Sequence, residues 1–254
     1  MRQAPMNKFG QASLLDGLST WGLWPALVMT LSQWEAAHLL HVDMPRHLIL
    51  ITLSGVFSIY GADRFLERKL QAFTEARHRG HLVVNSLFLI LIPGVALWVA
   101  PQLTLPDLIW ICILGIAGVC YLLATLNIMI GGGFLKEFLG AFCFTFLVWG
   151  RLPLELGYLV AFGLMGLSNF LWSGYQDMPR DRANGVPSFA LKKPGLNLLA
   201  ARLSAMVATV LFLALSGVTS AFFWVSLLHA FWPRKEQAPV DLAFIPLIVV
   251  LTSI

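Results

Sequence analysis

Two short stretches carry the side chains capable of chemistry in an otherwise apolar chain. The first holds Tyr60, Asp63, Arg64, Glu67 and Arg68, and the second holds Tyr175, Asp177, Arg180, Asp181 and Arg182. In each, two acids stand four residues apart: Asp63 with Glu67, and Asp177 with Asp181. On a helix that spacing puts both carboxylates on one face. Such pairs are hard oxygen donors of the kind that hold Mg²⁺, an ion usually bound by one or two carboxylates together with waters and substrate phosphates. Two pairs facing each other would clamp a diphosphate through Mg²⁺, and the ion would neutralise the charge of a departing diphosphate. The interleaved arginines would contact its oxygens directly. Taken singly, each stretch also reads as a solvated lattice of salt bridges beside a membrane. Their expected placement on one side of the membrane favours the chemical reading.

The elements that must position these groups are membrane helices. The chain has 254 residues, 58% hydrophobic and 12% charged, against about 45–50% and about 25% for a soluble domain. Such a surface would leave large apolar patches in water. Its apolar runs are long and continuous, which excludes the short alternating strands of a β-barrel. The expected class is therefore all-α, a polytopic membrane protein in one domain over 1–254. Residues 1–20 form an N-terminal cytoplasmic or interfacial segment with no compact signal peptide.

Nine candidate spans are read, at 21–40, 47–60, 82–100, 108–129, 134–150, 154–175, 198–216, 220–232 and 242–254. Several are short of the roughly 20 residues a full crossing needs. With the N-terminus in the cytoplasm, all of the 17 basic residues except Arg46, Arg151 and Arg202 fall in cytoplasmic segments. That bias follows the positive-inside rule. It explains the net charge of +4 without nucleic acid as a partner. Both acidic stretches then follow an apolar span on the cytoplasmic side, after the second and the sixth. The expected location is a bacterial inner membrane, with the bilayer as first partner.

The second stretch resembles a signature of the UbiA superfamily of intramembrane prenyltransferases. The resemblance rests on Tyr175, Asp177, Asp181, Gly185, Ser188 and Ala190 at that family's spacing. It extends to the layout, since the family has nine transmembrane helices with its two Asp-rich motifs after the second and sixth. Lys136, opening the fifth span, stands where the family often carries a basic residue that reaches the diphosphate. The first stretch departs from the family pattern NDxxDxxxD. Aligned on Asp63, the Asn position is Ile59, the first Asp is Tyr60 and the last Asp is Glu67.

The resemblance implies a UbiA-like bundle with a central cavity open to the cytoplasmic side. It implies Mg²⁺-dependent transfer of a prenyl group from an isoprenoid diphosphate to a small aromatic or lipid-like acceptor. Asp63, Asp177 and Asp181 would be catalytic and, with Glu67, would hold the metal. Tyr60, Arg64, Arg68, Lys136, Asn169, Tyr175 and Arg182 would bind substrate. The altered first motif fits one Mg²⁺ rather than two. It leaves open two other readings: a terpene cyclase on the same scaffold, or a non-catalytic lipid-binding or transporter-like protein.

Other polar residues have simpler readings. Asn169 and Asn127 lie within spans and need partners, either a substrate or a neighbouring helix. Arg202 is expected to snorkel to the headgroups or to reach the diphosphate. His38, His41 and His47, with Glu35 and Asp43, mark an external turn rather than a metal site, since they lack ligand spacing. Trp21, Trp24, Trp34, Trp98, Trp110 and Trp232 lie near span ends, as an aromatic belt. Cys112, Cys120 and Cys143 sit in apolar runs as small hydrophobes. The run Gly131–Gly133 lacks the strand and lysine of a phosphate loop.

Overall fold

Where long apolar runs leave no water for the backbone, each run must pair its own N–H and C=O groups, and the α-helix does so within one segment. A computed structural model describes residues 23–57, 94–125, 132–184, 188–232 and 240–252, and every regular element among them is helical. In chain order these are α1 (Leu23–Leu39), α2 (Arg46–Phe57), α3 (94–99), α4 (Leu105–Thr125), α5 (Gly132–Trp149) and α6 (Leu156–Gln176). They continue as α7 (Met178–Asn184), α8 (Phe189–Lys192), α9 (Pro194–Ser216), α10 (Ala221–Phe231) and α11 (Ile245–Thr252).

Three described helices are long and apolar enough to cross a bilayer: Leu105–Ala124, Leu156–Gln176 and Pro194–Thr219. Their outward side chains are apolar, as at Ile109, Ile116 and Val119 on α4 and Leu203, Met206 and Val210 on α9. Such a surface suits lipid. The spans expected at 108–129, 134–150, 154–175, 198–216 and 220–232 correspond to α4, α5, α6, α9 and α10. The span expected at 242–254 is different. A 3₁₀ turn at Val240–Phe244 precedes α11, which has eight described residues and a length of about 12 Å.

Side-chain contacts fix the helix directions. Trp110 Nε1 donates to the Phe146 carbonyl at 2.8 Å, and the Lys136 ammonium lies 6.0 Å from the centre of the Tyr121 ring. So α4 and α5 run antiparallel. Tyr158 donates to the Leu215 carbonyl at 3.1 Å, and Asn197 Nδ2 to the Leu171 carbonyl at 2.7 Å. So α6 and α9 also run antiparallel. The most extensive packing in the described chain is between these two. On α9, Ala201, Ala205 and Ala208 are fully buried, and small side chains at such spacing let helices approach closely. Phe144, Phe162, Phe212 and Phe222 with Trp149 fill the shared core.

The two ends of the bundle differ. At one end Asp107 is buried in the first turn of α4 rather than in the connection expected there. It accepts from the Thr104 N–H at 2.7 Å and hydroxyl at 2.5 Å, and from Arg151 Nε at 2.6 Å. His47 Nε2 lies 3.8 Å away. At the same end, buried Glu35 accepts from the Ala221 N–H at 2.8 Å and the Ser220 hydroxyl at 3.3 Å, where a carboxylate complements the start of α10. Of the residues read as an external turn, Glu35 is thus an interior cap and His47 leans on Asp107. The expected aromatic belt also divides: Trp34 and Trp98 are exposed, whereas Trp24, Trp110 and Trp232 are buried.

Arg151→Ala is expected to lower stability by about 2 kcal/mol, because it strips a charge-assisted hydrogen bond from a buried carboxylate. Unfolding in mixed detergent micelles measures this, and an unchanged midpoint would show that water replaces the guanidinium. Gly140→Ala is expected to cost about 1–3 kcal/mol in the same assay. A Cβ there would come within 2.6 Å of the Phe170 ring.

Candidate functional site at the end of α6

The apolar run of α6 ends where Pro179, lacking an N–H, prevents a smooth continuation. Asp177 sits at the junction with φ −80° and ψ −7°, and its N–H donates to the Ser173 carbonyl at 2.9 Å. The helical path then resumes as α7, and the Asp181 N–H donates to the Asp177 carbonyl at 2.8 Å. The i, i+4 relation is therefore a real helical turn, and both carboxylates lie on one side of it. Both are partly exposed, and Arg182 is exposed beside them. Downstream, Ser188 caps α8 by accepting from the Leu191 N–H at 3.3 Å.

α5 delivers two further charged groups to this end. Glu137 in its early turns is buried. The Asp177 and Asp181 charges act on it unfavourably and the neighbouring Lys136 favourably. Glu137 fits because Gly174 has no side chain: a Cβ there would lie 2.7 Å from Glu137 Oε1. Lys136 is partly buried against Tyr121. Tyr175 packs edge-on against Trp172, with ring centres 6.0 Å apart.

Asn169 lies two turns further into the bundle, with Oδ1 3.2 Å from Nε2 of buried His229 on α10. Arg202, on α9, does not extend freely toward the headgroups. Its Nη2 lies 3.5 Å from the Trp232 carbonyl and its guanidinium 5.8 Å from the Trp172 ring centre.

The structure thus brings Lys136, Tyr175, Asp177, Asp181 and Arg182 to one end, with Asn169 two helical turns away along α6. Tyr60, Asp63, Arg64, Glu67 and Arg68 lie outside the described residues, as does Asn127. Among the described residues, no group of three or more His, Cys, Asp or Glu side chains is arranged to hold a metal ion. The two aspartates of the second motif match the one or two carboxylates Mg²⁺ commonly takes from a protein, the rest of its shell being water and phosphate oxygen. Sequence reasoning passed over Glu137 and His229. The available signal was an ionisable residue inside an apolar run, which marks a polar interior.

No protein-family model, curated protein or solved structure matches this chain.

Gly174→Ala is expected to leave folding nearly intact, since the clashing atom is the tip of a flexible side chain. It should displace the Glu137 carboxylate from α6. A thermal midpoint within a few degrees of the parent is the expected result. A large loss of stability would show that Glu137 cannot move.

Proposed function

We propose that this chain is an intramembrane prenyltransferase of the UbiA type, moving a prenyl group from an isoprenoid diphosphate to a small aromatic or lipid-like acceptor. The observation that carries the reading is the pair Asp177 and Asp181. They stand one helical turn apart where an apolar helix stops, at the same end as Lys136 and Glu137. The reading includes nine spans around a central cavity, a cytoplasmic mouth with the N-terminus on that side, and a bacterial inner membrane. Asp63 and Glu67 would complete the mouth from the first motif.

Asp177 and Asp181 would hold Mg²⁺, which when bound supplies charge neutralisation for the diphosphate. Lys136 would add a point charge on the diphosphate oxygens, and Arg182, Arg64 and Arg68 would add planar donors. Tyr60 and Tyr175 would border the reacting carbon. The apolar helices would hold the isoprenoid tail and keep water from the carbocation that forms when the C–O bond breaks. The electron pair of that bond leaves with the diphosphate, the acceptor supplies the pair for the new bond, and the proton displaced from the acceptor passes to the released diphosphate or to water.

The test uses the full chain in nanodiscs with Mg²⁺ and farnesyl diphosphate, following diphosphate release. Asp177→Ala and Asp181→Ala are each expected to lower release by at least about 100-fold, with helical content unchanged by circular dichroism. Chelation of the metal should do the same. Undiminished release in both variants would remove the metal clamp. Release that yields a cyclic hydrocarbon without acceptor would point to a terpene cyclase, and binding without turnover to a non-catalytic protein.

A further inference from the structure

Between Pro194 and Ser216, α9 carries a single charged side chain, Arg202. It stands where two faces of the helix meet. Leu198, Ala201 and Ala205 are buried, whereas Leu199, Leu203 and Met206 are about half exposed, and Arg202 itself is partly exposed. With 23 residues, α9 is about 35 Å long, against about 30 Å for the hydrocarbon core of a bilayer. Arg202 stands about 12 Å from the start of α9, and helical side chains lean toward the start of their helix. Its guanidinium therefore comes near the boundary between hydrocarbon and headgroups, at the end of the bundle that carries Asp177.

The protein holds this cation in place without neutralising it. Nη2 lies 3.5 Å from the Trp232 carbonyl, and the guanidinium 5.8 Å from the Trp172 ring centre. The Nε–H is buried with no acceptor. Among the described residues no carboxylate pairs with Arg202. A guanidinium stays charged and offers five N–H donors in a planar fork. The carbonyl end of α10 and the indole face offset part of the charge. A cation at the edge of hydrocarbon without a counter-ion remains costly. What is missing is an anion with more than one acceptor oxygen, and a phosphate group fits a guanidinium in that way. Because the side chain is fixed on two sides, such a group has to come to it.

We propose that Arg202 anchors a bound anionic phospholipid, with the phosphate on the guanidinium and the acyl chains along the outward side chains of α9 and α10. Charge complementarity selects the headgroup. A zwitterionic lipid brings its own ammonium to the phosphate, so a lipid with net negative charge is preferred. The tail follows from the neighbours: Leu199, Leu203 and Met206 on α9 and Leu228 and Phe231 near the end of α10 are all exposed. A soluble phosphate ion would leave these side chains uncovered. Arg202 touches the end of α10 and the Trp172 ring of α6, so the lipid braces three helices at one level. The site goes beyond the prenyltransferase reading and does not depend on it.

The experiment titrates the full chain in detergent micelles with phosphatidylglycerol or phosphatidylcholine and reads the first bound lipid by native mass spectrometry. The intact chain is expected to prefer phosphatidylglycerol by about tenfold, the worth of one charge-assisted hydrogen-bonded contact. Arg202→Gln should bring the two lipids to within about threefold of each other. Arg202→Lys, which keeps the charge without the fork, should retain part of the preference. Lys192→Gln with Lys193→Gln removes two exposed cations at the same end and should leave the preference in place. An unchanged preference in Arg202→Gln overturns the proposal, and so does an equal loss in the double lysine variant, which would show a diffuse basic surface. Inorganic phosphate in excess should not displace the lipid; displacement would assign the site to a soluble anion. Displacement by farnesyl diphosphate would assign Arg202 to that ligand and overturn the lipid site. The readout is a ratio between two lipids, so a general loss of packing in Arg202→Gln does not imitate the result.

Discussion

Polar groups inside an apolar bundle have no water to turn to, and the structure depends on how they are paired between helices. Trp172 Nε1 on α6 donates to the His229 carbonyl at 2.9 Å, near the end of α10. Asn197 Nδ2 on α9 donates to the Leu171 carbonyl at 2.7 Å. Both bonds lock the last turns of α6 to its neighbours just before Asp177. The buried alanines of α9 bring the two backbones close enough for an asparagine side chain to bridge them. The aspartates thus emerge from a turn whose register and rotation are fixed on two sides.

The same rule makes the two ends of the bundle unlike. Around Asp107, charge meets charge and the carboxylate caps the start of its own helix. Around Asp177 the balance is different. Glu137 is packed near two further acids, and the room for it comes from a glycine.

His229 and Arg202 show how side chains with plausible solvent or substrate roles are taken up by structure. Arg202 lies against the carbonyl end of α10, where a cation complements the helix dipole, and over the Trp172 face. His229 gives one nitrogen to its own helix and the other to Asn169. The first is a helix cap by position. The second meets Asn169 and so ties α10 to α6 two turns before Asp177.

The sequence alone determined the helical class, the positions of α4, α5, α6, α9 and α10, and the four-residue spacing of Asp177 and Asp181. These follow from local physics: apolar runs must satisfy their backbone internally, and helical geometry sets which side chains share a face. The tertiary structure decided the pairings across long separations. Glu35 meets Ala221, Asp107 meets Arg151, Glu137 fills the space at Gly174, and Asn169 meets His229. None is legible from spacing, because each depends on which helices pack together and on their rotation. Trp110 makes the same point. Its place near a span end suggested an interfacial anchor, but the turn it takes on α4 buries it against α5, with its indole N–H on the Phe146 carbonyl.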